Sequence, residues 1–123
     1  MPIVEFVTNV PVDQFPEGFV ARAATKVSEV LGKPLPAISI SLRHEAMFRM
    51  GSDAPCLMIF AASVDNFTDQ EDNRKYSKEL IDFAAAEFNV PIERINLIMQ
   101  TLSRWQIGLP GGVLLGDRMK QTK

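Results

Sequence analysis

Apolar residues recur along the chain at two different spacings, and the switches between them mark out its elements. Ile3 to Val7 is a short, β-branched run, the pattern of a buried strand. Thr8 to Gln14, with Pro11 inside it, reads as a loop. From Pro16 to about Leu31 the spacing becomes helical. Phe19, Val20, Ala23, Ala24, Val27, Val30 and Leu31 fall on one face, and Arg22, Thr25, Lys26 and Glu29 fall opposite. Pro16 suits the first turn, where its missing N–H is one of the orphan donors. Gly32 is placed to end the helix, with Pro34 just beyond. Ile38 to Leu42 is a second strand, and His44 to Pro55 is polar and turn-like, with a short strand expected at Met47 to Met50.

The second half repeats the first. Leu57 to Val64 is a nearly continuous apolar run, as a strand buried on both faces requires. Thr68-Asp69-Gln70-Glu71 has the form of a capping box, opening a helix with Tyr76, Leu80, Phe83, Ala84 and Phe88 inward. Asn89 ends that helix, Pro91 follows, and Ile95 to Thr101 is the fourth strand. At a shift of 57 the halves align without a gap: Val7 on Val64, Asn9 on Asn66, Phe19 on Tyr76, Gly32 on Asn89, Pro34 on Pro91 and Ile38 on Ile95. The expected fold is α+β: two βαβ repeats, about residues 1–57 and 58–115, forming a four-stranded mixed sheet with both helices on one face. Residues 1–115 make a single domain and 116–123 a C-terminal tail.

The other sheet face then has no cover from this chain. An exposed apolar face of that size marks an interface, and closed symmetric assembly is the usual solution. The segment from Ser103 to Leu115 reads as short strands able to dock on a neighbour's sheet edge.

Composition narrows the function. The chain has 123 residues, 46% apolar and 23% charged, with a net charge of −2. That leaves no basic face for nucleic acid or an anionic membrane. The basic run at the tail, from Arg118 to Lys123, reads as a solvated end. The one cysteine, Cys56, excludes an intrachain disulfide and any paired-cysteine metal or redox motif. No signal peptide and no membrane-length apolar run is readable, so the expected address is cytoplasmic. His44 is expected at an exposed strand end, and Cys56 as a small hydrophobe.

The candidate chemistry lies at Met1-Pro2. Removal of Met1 would leave Pro2 with a free secondary amine. An α-amine titrates near pH ~7.7–8.0, and an apolar pocket or a nearby cation lowers that further. Such a group suits general base catalysis. Pro2 also suits the first position of a strand, where its missing N–H costs nothing. Lys33, just past the first helix, reads as a cation complementing the helix dipole.

With Met1-Pro2, Thr8-Asn9-Val10-Pro11, Gly32-Lys33-Pro34, Ala54-Pro55-Cys56, Ser63-Val64, Asp72-Asn73-Arg74, Tyr76-Ser77-Lys78 and Trp105-Gln106-Ile107-Gly108 in this order and spacing, the chain resembles the macrophage migration inhibitory factor family over residues 1 to 115. The run Ser103 to Gly108 looks most like the D-dopachrome tautomerase branch. The resemblance implies a ring-shaped homotrimer with active sites between subunits. It further implies a cofactor-free, metal-free keto–enol tautomerase acting on phenylpyruvate- or dopachrome-like substrates, with D-dopachrome decarboxylation as a variant. Pro2 would be the base, Lys33 the anchor of a substrate carboxylate, and Ser63-Val64 the source of a main-chain N–H.

Asn96 stands where the family has a pocket tyrosine, Ile98 where it has a substrate-binding asparagine, and Leu109 where it has a rim tryptophan. Substrate choice is therefore expected to differ. Ile59 replaces the second cysteine of the founding member's motif, so no thiol–disulfide chemistry is implied. Arg104 and Trp105 are candidates for the pocket wall or for interface packing. The alternative implied function is a cytokine-like ligand, released without a signal peptide, that engages a cell-surface receptor and has only vestigial catalysis.

Overall fold

The computed structural model describes residues 1–120. In chain order it contains strand β1 (Ile3–Thr8), helix α1 (Phe19–Leu31), β2 (Ser39–His44), β3 (Leu57–Val64), α2 (Gln70–Phe88) and β4 (Ile95–Leu102). A hairpin of two short strands, β5 (Gly108–Leu109) and β6 (Val113–Leu114), and a final helix α3 (Leu115–Lys120) follow. The sheet order is β2-β1-β3-β4. Each βαβ repeat supplies one parallel pair, β1 with β2 and β3 with β4, and the two pairs join antiparallel along β1 and β3. The result is the expected mixed sheet with α1 and α2 on one face.

Strand alternation decides which side chains meet the helices. Val4 and Phe6 of β1, Leu57, Ile59 and Ala61 of β3, and Ile95 of β4 are buried against Phe19, Ala23, Val27 and Leu31 of α1 and Leu80, Ala84 and Phe88 of α2. Phe19 sits at the centre, edge-on to Phe6 at 5.0 Å and to Phe88 at 4.8 Å between ring centroids. The stripe on α1 is narrower than the sequence pattern implied, and Val20 is exposed. Arg22 and Lys26, opposite the core, pair with Glu87 and Glu79 of α2.

The other sheet face carries Ile3, Phe60 and Ile98, which are 37%, 37% and 49% exposed. They line a groove with Glu5 and Gln100. Phe48 and Met50 project from the loop between the repeats. That loop is clamped from both halves. The Asn9 amide donates to the Asp53 and Ala54 carbonyls and accepts from the Cys56 N–H, while the Arg94 guanidinium donates to the Ala54 and Pro55 carbonyls.

Four local expectations need correction. Helix α1 begins at Phe19 rather than Pro16, because Gly18 takes the left-handed conformation (φ +75°) and breaks the helical run from Pro16. The cap of α2 is Asp69, whose carboxylate accepts from the Glu71 N–H at 3.0 Å. Asp69 is one residue closer to the helix than Thr68, and its charged acceptor takes the place of the reciprocal box. Met47 to Met50 forms no strand: Arg49 and Ser52 make only an isolated bridge around a turn with positive φ at Met50 and Gly51. The segment after Ser103 holds the expected short strands in β5 and β6, but Arg104–Gln106 is a 3-10 turn. As expected, His44 is exposed and Cys56 is a buried free thiol.

Candidate active site

The ladder itself brings the first residue to the end of β3. Ile3 lies opposite Ala62 on β3 and beside Ser39 on β2. Beyond the ladder, the Pro2 carbonyl still accepts from the Ser39 N–H, and Met1 reaches the cavity that Val64 and Ala37 also line. Lys33 is delivered from the other side. Gly32 ends α1 in the left-handed conformation (φ +66°), which turns the chain sharply out of the helix. The Lys33 N–H then bonds the Ser28 carbonyl at 3.2 Å, and the Ser28 hydroxyl donates to the Lys33 carbonyl. The lysine backbone is thus fixed to the last turn of α1 while its side chain stays free of it.

Met1, Lys33 and Val64 line one cavity of about 450 Å³, together with Ser39 at the start of β2 and Leu115 and Met119 of α3. That volume is in the range that holds a small organic ligand. Pro2 lies immediately behind Met1, fully buried, and its carbonyl accepts the Ser39 N–H at 3.0 Å. The amine at the chain end is held below its ordinary value of 8.0, first by burial, which disfavours the charged form, and then by the positive charge of Lys33. Among the described residues, Lys33 has no carboxylate within ion-pair distance. The site therefore combines a proton acceptor shifted toward its neutral form, an uncompensated cation and apolar walls.

Of the residues singled out in the sequence, Pro2, Lys33 and Val64 come together here. Ser63 does not: alternation turns its side chain to the helix side, where it is fully buried and its hydroxyl finds no hydrogen-bond partner among the described residues. Only its backbone is near the cavity. Asn96 and Ile98 lie on the open sheet face, opposite Met58 and Phe60. Asn96 is six ladder positions, roughly 20 Å along the strand, from the end that holds Val64. Its side-chain oxygen accepts a hydrogen bond from Arg49. Trp105 packs under α3 and Arg104 pairs with Asp65, so neither lines the cavity. The residues singled out in the sequence for the site do not include Leu115 or Met119. The expectation of a solvated end from Arg118 needs correction: Met119 lies in α3 and lines the cavity, while residues 121–123 lie outside the described residues. The i, i+4 spacing of Leu115 and Met119 is a signal for one helix face, but no apolar stripe before them announced a helix.

The arrangement of sheet, helices and terminal hairpin defines a known fold class. It superposes on the macrophage migration inhibitory factor of Trichinella spiralis with a TM-score of 0.82, at 19% identity, covering 91% of this chain and 98% of that one. The homologue from Prochlorococcus marinus gives 0.81 at 19% identity, over 93% and 99%.

The family model described as macrophage migration inhibitory factor matches residues 1–115, and the chain belongs to that family. Among relatives, a D-dopachrome decarboxylase of Bos taurus is 30% identical over 93% of this chain and 98% of its own length. A macrophage migration inhibitory factor of Xenopus tropicalis is 27% identical over 90% and 96%.

Proposed function

We propose that this protein is a cofactor-free keto–enol tautomerase of aryl α-keto acids, with the N-terminal amine as its base. The observation that carries the reading is the shared cavity of the chain-end amine and Lys33. Loss of Met1 would open the Pro2 nitrogen onto the space Met1 now fills. The substrate carboxylate then pairs with Lys33, and the Pro2 amine removes a proton from the carbon next to the ketone. The electron pair moves onto the carbonyl oxygen, which takes a proton from the Pro2 ammonium, directly or through water, to give the enol and restore the neutral amine. Val64 offers its main-chain N–H to an oxygen of the same substrate, the placement of donors that stabilises developing charge. The relatives named D-dopachrome decarboxylase support a related carboxylate substrate.

Assembly completes this reading. Asn96 and Ile98 are too far from the cavity to line it within one chain, and the apolar groove of Ile3, Phe60 and Ile98 lies open. A homotrimer would cover the groove and allow a neighbour to contribute these two residues. A second role, as an extracellular signal recognised by a cell-surface receptor, draws support from the relatives named macrophage migration inhibitory factor.

The test is intact mass together with a hydroxyphenylpyruvate tautomerase assay on one sample. The expected result is a chain lacking Met1 with turnover, and loss of turnover in Pro2→Gly with the fold retained. Unchanged turnover in Pro2→Gly would place the base elsewhere.

A further inference from the structure

The cavity has a wall that the family match does not reach. The family model stops at residue 115, where α3 begins, and α3 carries Met119 into the cavity beside Leu115. One helical turn separates the two, so both project from the same face. The helix is held at three points. The Leu115 N–H donates to the Ile107 carbonyl at 2.9 Å. The Asp117 carboxylate accepts from the Leu114 N–H at 2.9 Å, the return half of a capping box. Gly116 lies against the Trp105 ring so closely that a Cβ there would stand 2.6 Å from Cε3. No side chain larger than hydrogen fits that seat unless the helix or the Trp105 ring moves. A six-residue helix has little stability of its own, so its placement over the cavity depends on these contacts.

We propose that α3 is a fixed apolar roof that selects the substrate, with Met119 as the residue that grips the aromatic part of an aryl keto acid while Lys33 holds the carboxylate. The proposal rests on the reading of the cavity as a keto-acid site and adds the element that sets its size preference. Methionine suits the task because its unbranched, polarizable side chain adapts to an aromatic ring. A small acid such as pyruvate reaches Lys33 without touching the roof, so the roof shows itself in the ratio of affinities for large and small acids.

The experiment measures phenylpyruvate and pyruvate binding calorimetrically, and tautomerase turnover, in the full chain, in Met119→Ala and in Gly116→Val. The ratio of phenylpyruvate to pyruvate affinity is expected to fall about three- to tenfold in Met119→Ala, the range one or two lost methylene contacts give. Gly116→Val is expected to cause a similar fall, accompanied by a change in the emission of Trp105, the only tryptophan in the chain. If Gly116→Val fails to fold, Met119→Ala alone decides. An unchanged ratio in Met119→Ala with normal wild-type turnover overturns the roof and leaves the tautomerase reading standing. A ratio that falls in a protein without turnover supports the roof and sinks the catalytic reading. Wild-type protein that binds neither acid overturns both.

Discussion

The amine of Met1 and the ammonium of Lys33 open onto one cavity, and the charge of the lysine helps to keep the amine from holding its proton. Two cationic groups on one cavity, with no carboxylate paired to Lys33 among the described residues, favour either loss of a proton or capture of a carboxylate. The site is electrostatically prepared for both at once.

Lys33→Ala separates these two effects. A charge-assisted hydrogen bond contributes roughly 1.5–3 kcal/mol, so KM for an aryl keto acid is expected to rise about tenfold to a hundredfold, while its methyl ester is little affected. The sign of the pH effect follows from the base. The amine works when neutral, and a lowered pKa extends activity to lower pH. Lys33 is a cation on the cavity onto which the Pro2 nitrogen would open, so its removal is expected to move the acid limb of the pH–rate profile toward higher pH. Equal losses for acid and ester, with an unmoved limb, would make Lys33 an ordinary helix-end cation.

Phe60 lines the open groove. Phe60→Lys places a charge on a face that assembly would bury. Sedimentation of the wild type at micromolar concentration is expected to show three-chain particles, and the variant to dissociate at least tenfold more readily. A monomeric wild type would rule out the trimer.

Gly32 adopts φ +66° with open space around the position a Cβ would take. Gly32→Ala is therefore strained by backbone conformation alone, at about 1–2 kcal/mol. At the matching end of α2, Asn89 holds φ +55°, and Asn89→Gly is expected to be neutral or slightly stabilising. Urea melts of the two variants check the contrast, and a Gly32→Ala protein as stable as wild type would contradict it.

At the start of α2, Asp69→Ala removes the hydrogen bond to the Glu71 N–H and is expected to destabilise the protein by ~1 kcal/mol. Thr68→Ala should leave the melting temperature nearly unchanged. The reverse order would restore Thr68 as the cap.

The repeat was readable because its punctuation is local. Gly32 and Asn89 end the two helices in the same left-handed conformation, and apolar runs mark all four main strands. What escaped depends on neighbours in space. Gly18 could have sat inside a helix, and only its positive φ in the folded chain breaks the run from Pro16. Thr68 and Asp69 are both competent caps, and the spacing does not rank them. Pro2 is singled out by its own amine chemistry, Lys33 and Val64 by resemblance; the antiparallel register of β1 on β3 brings the start of the chain toward the end of β3, and the turn at Gly32 delivers Lys33. Met119 had no such guide, because nothing in the pattern before it predicts that the chain folds back over Trp105.

The single antiparallel seam between β1 and β3 bears on how the molecule could be divided. Six residue pairs along that seam are the only sheet contact between the repeats among the described residues. Each repeat alone would be a two-stranded ribbon with one helix, too small to bury a core. The connecting loop turns back at Met50 and Gly51, and both halves grip it through Asn9 and Arg94. A break at that turn would leave every ladder intact, so the two pieces are suited to fragment complementation: each disordered alone, and folded only when the other supplies the missing half of the sheet.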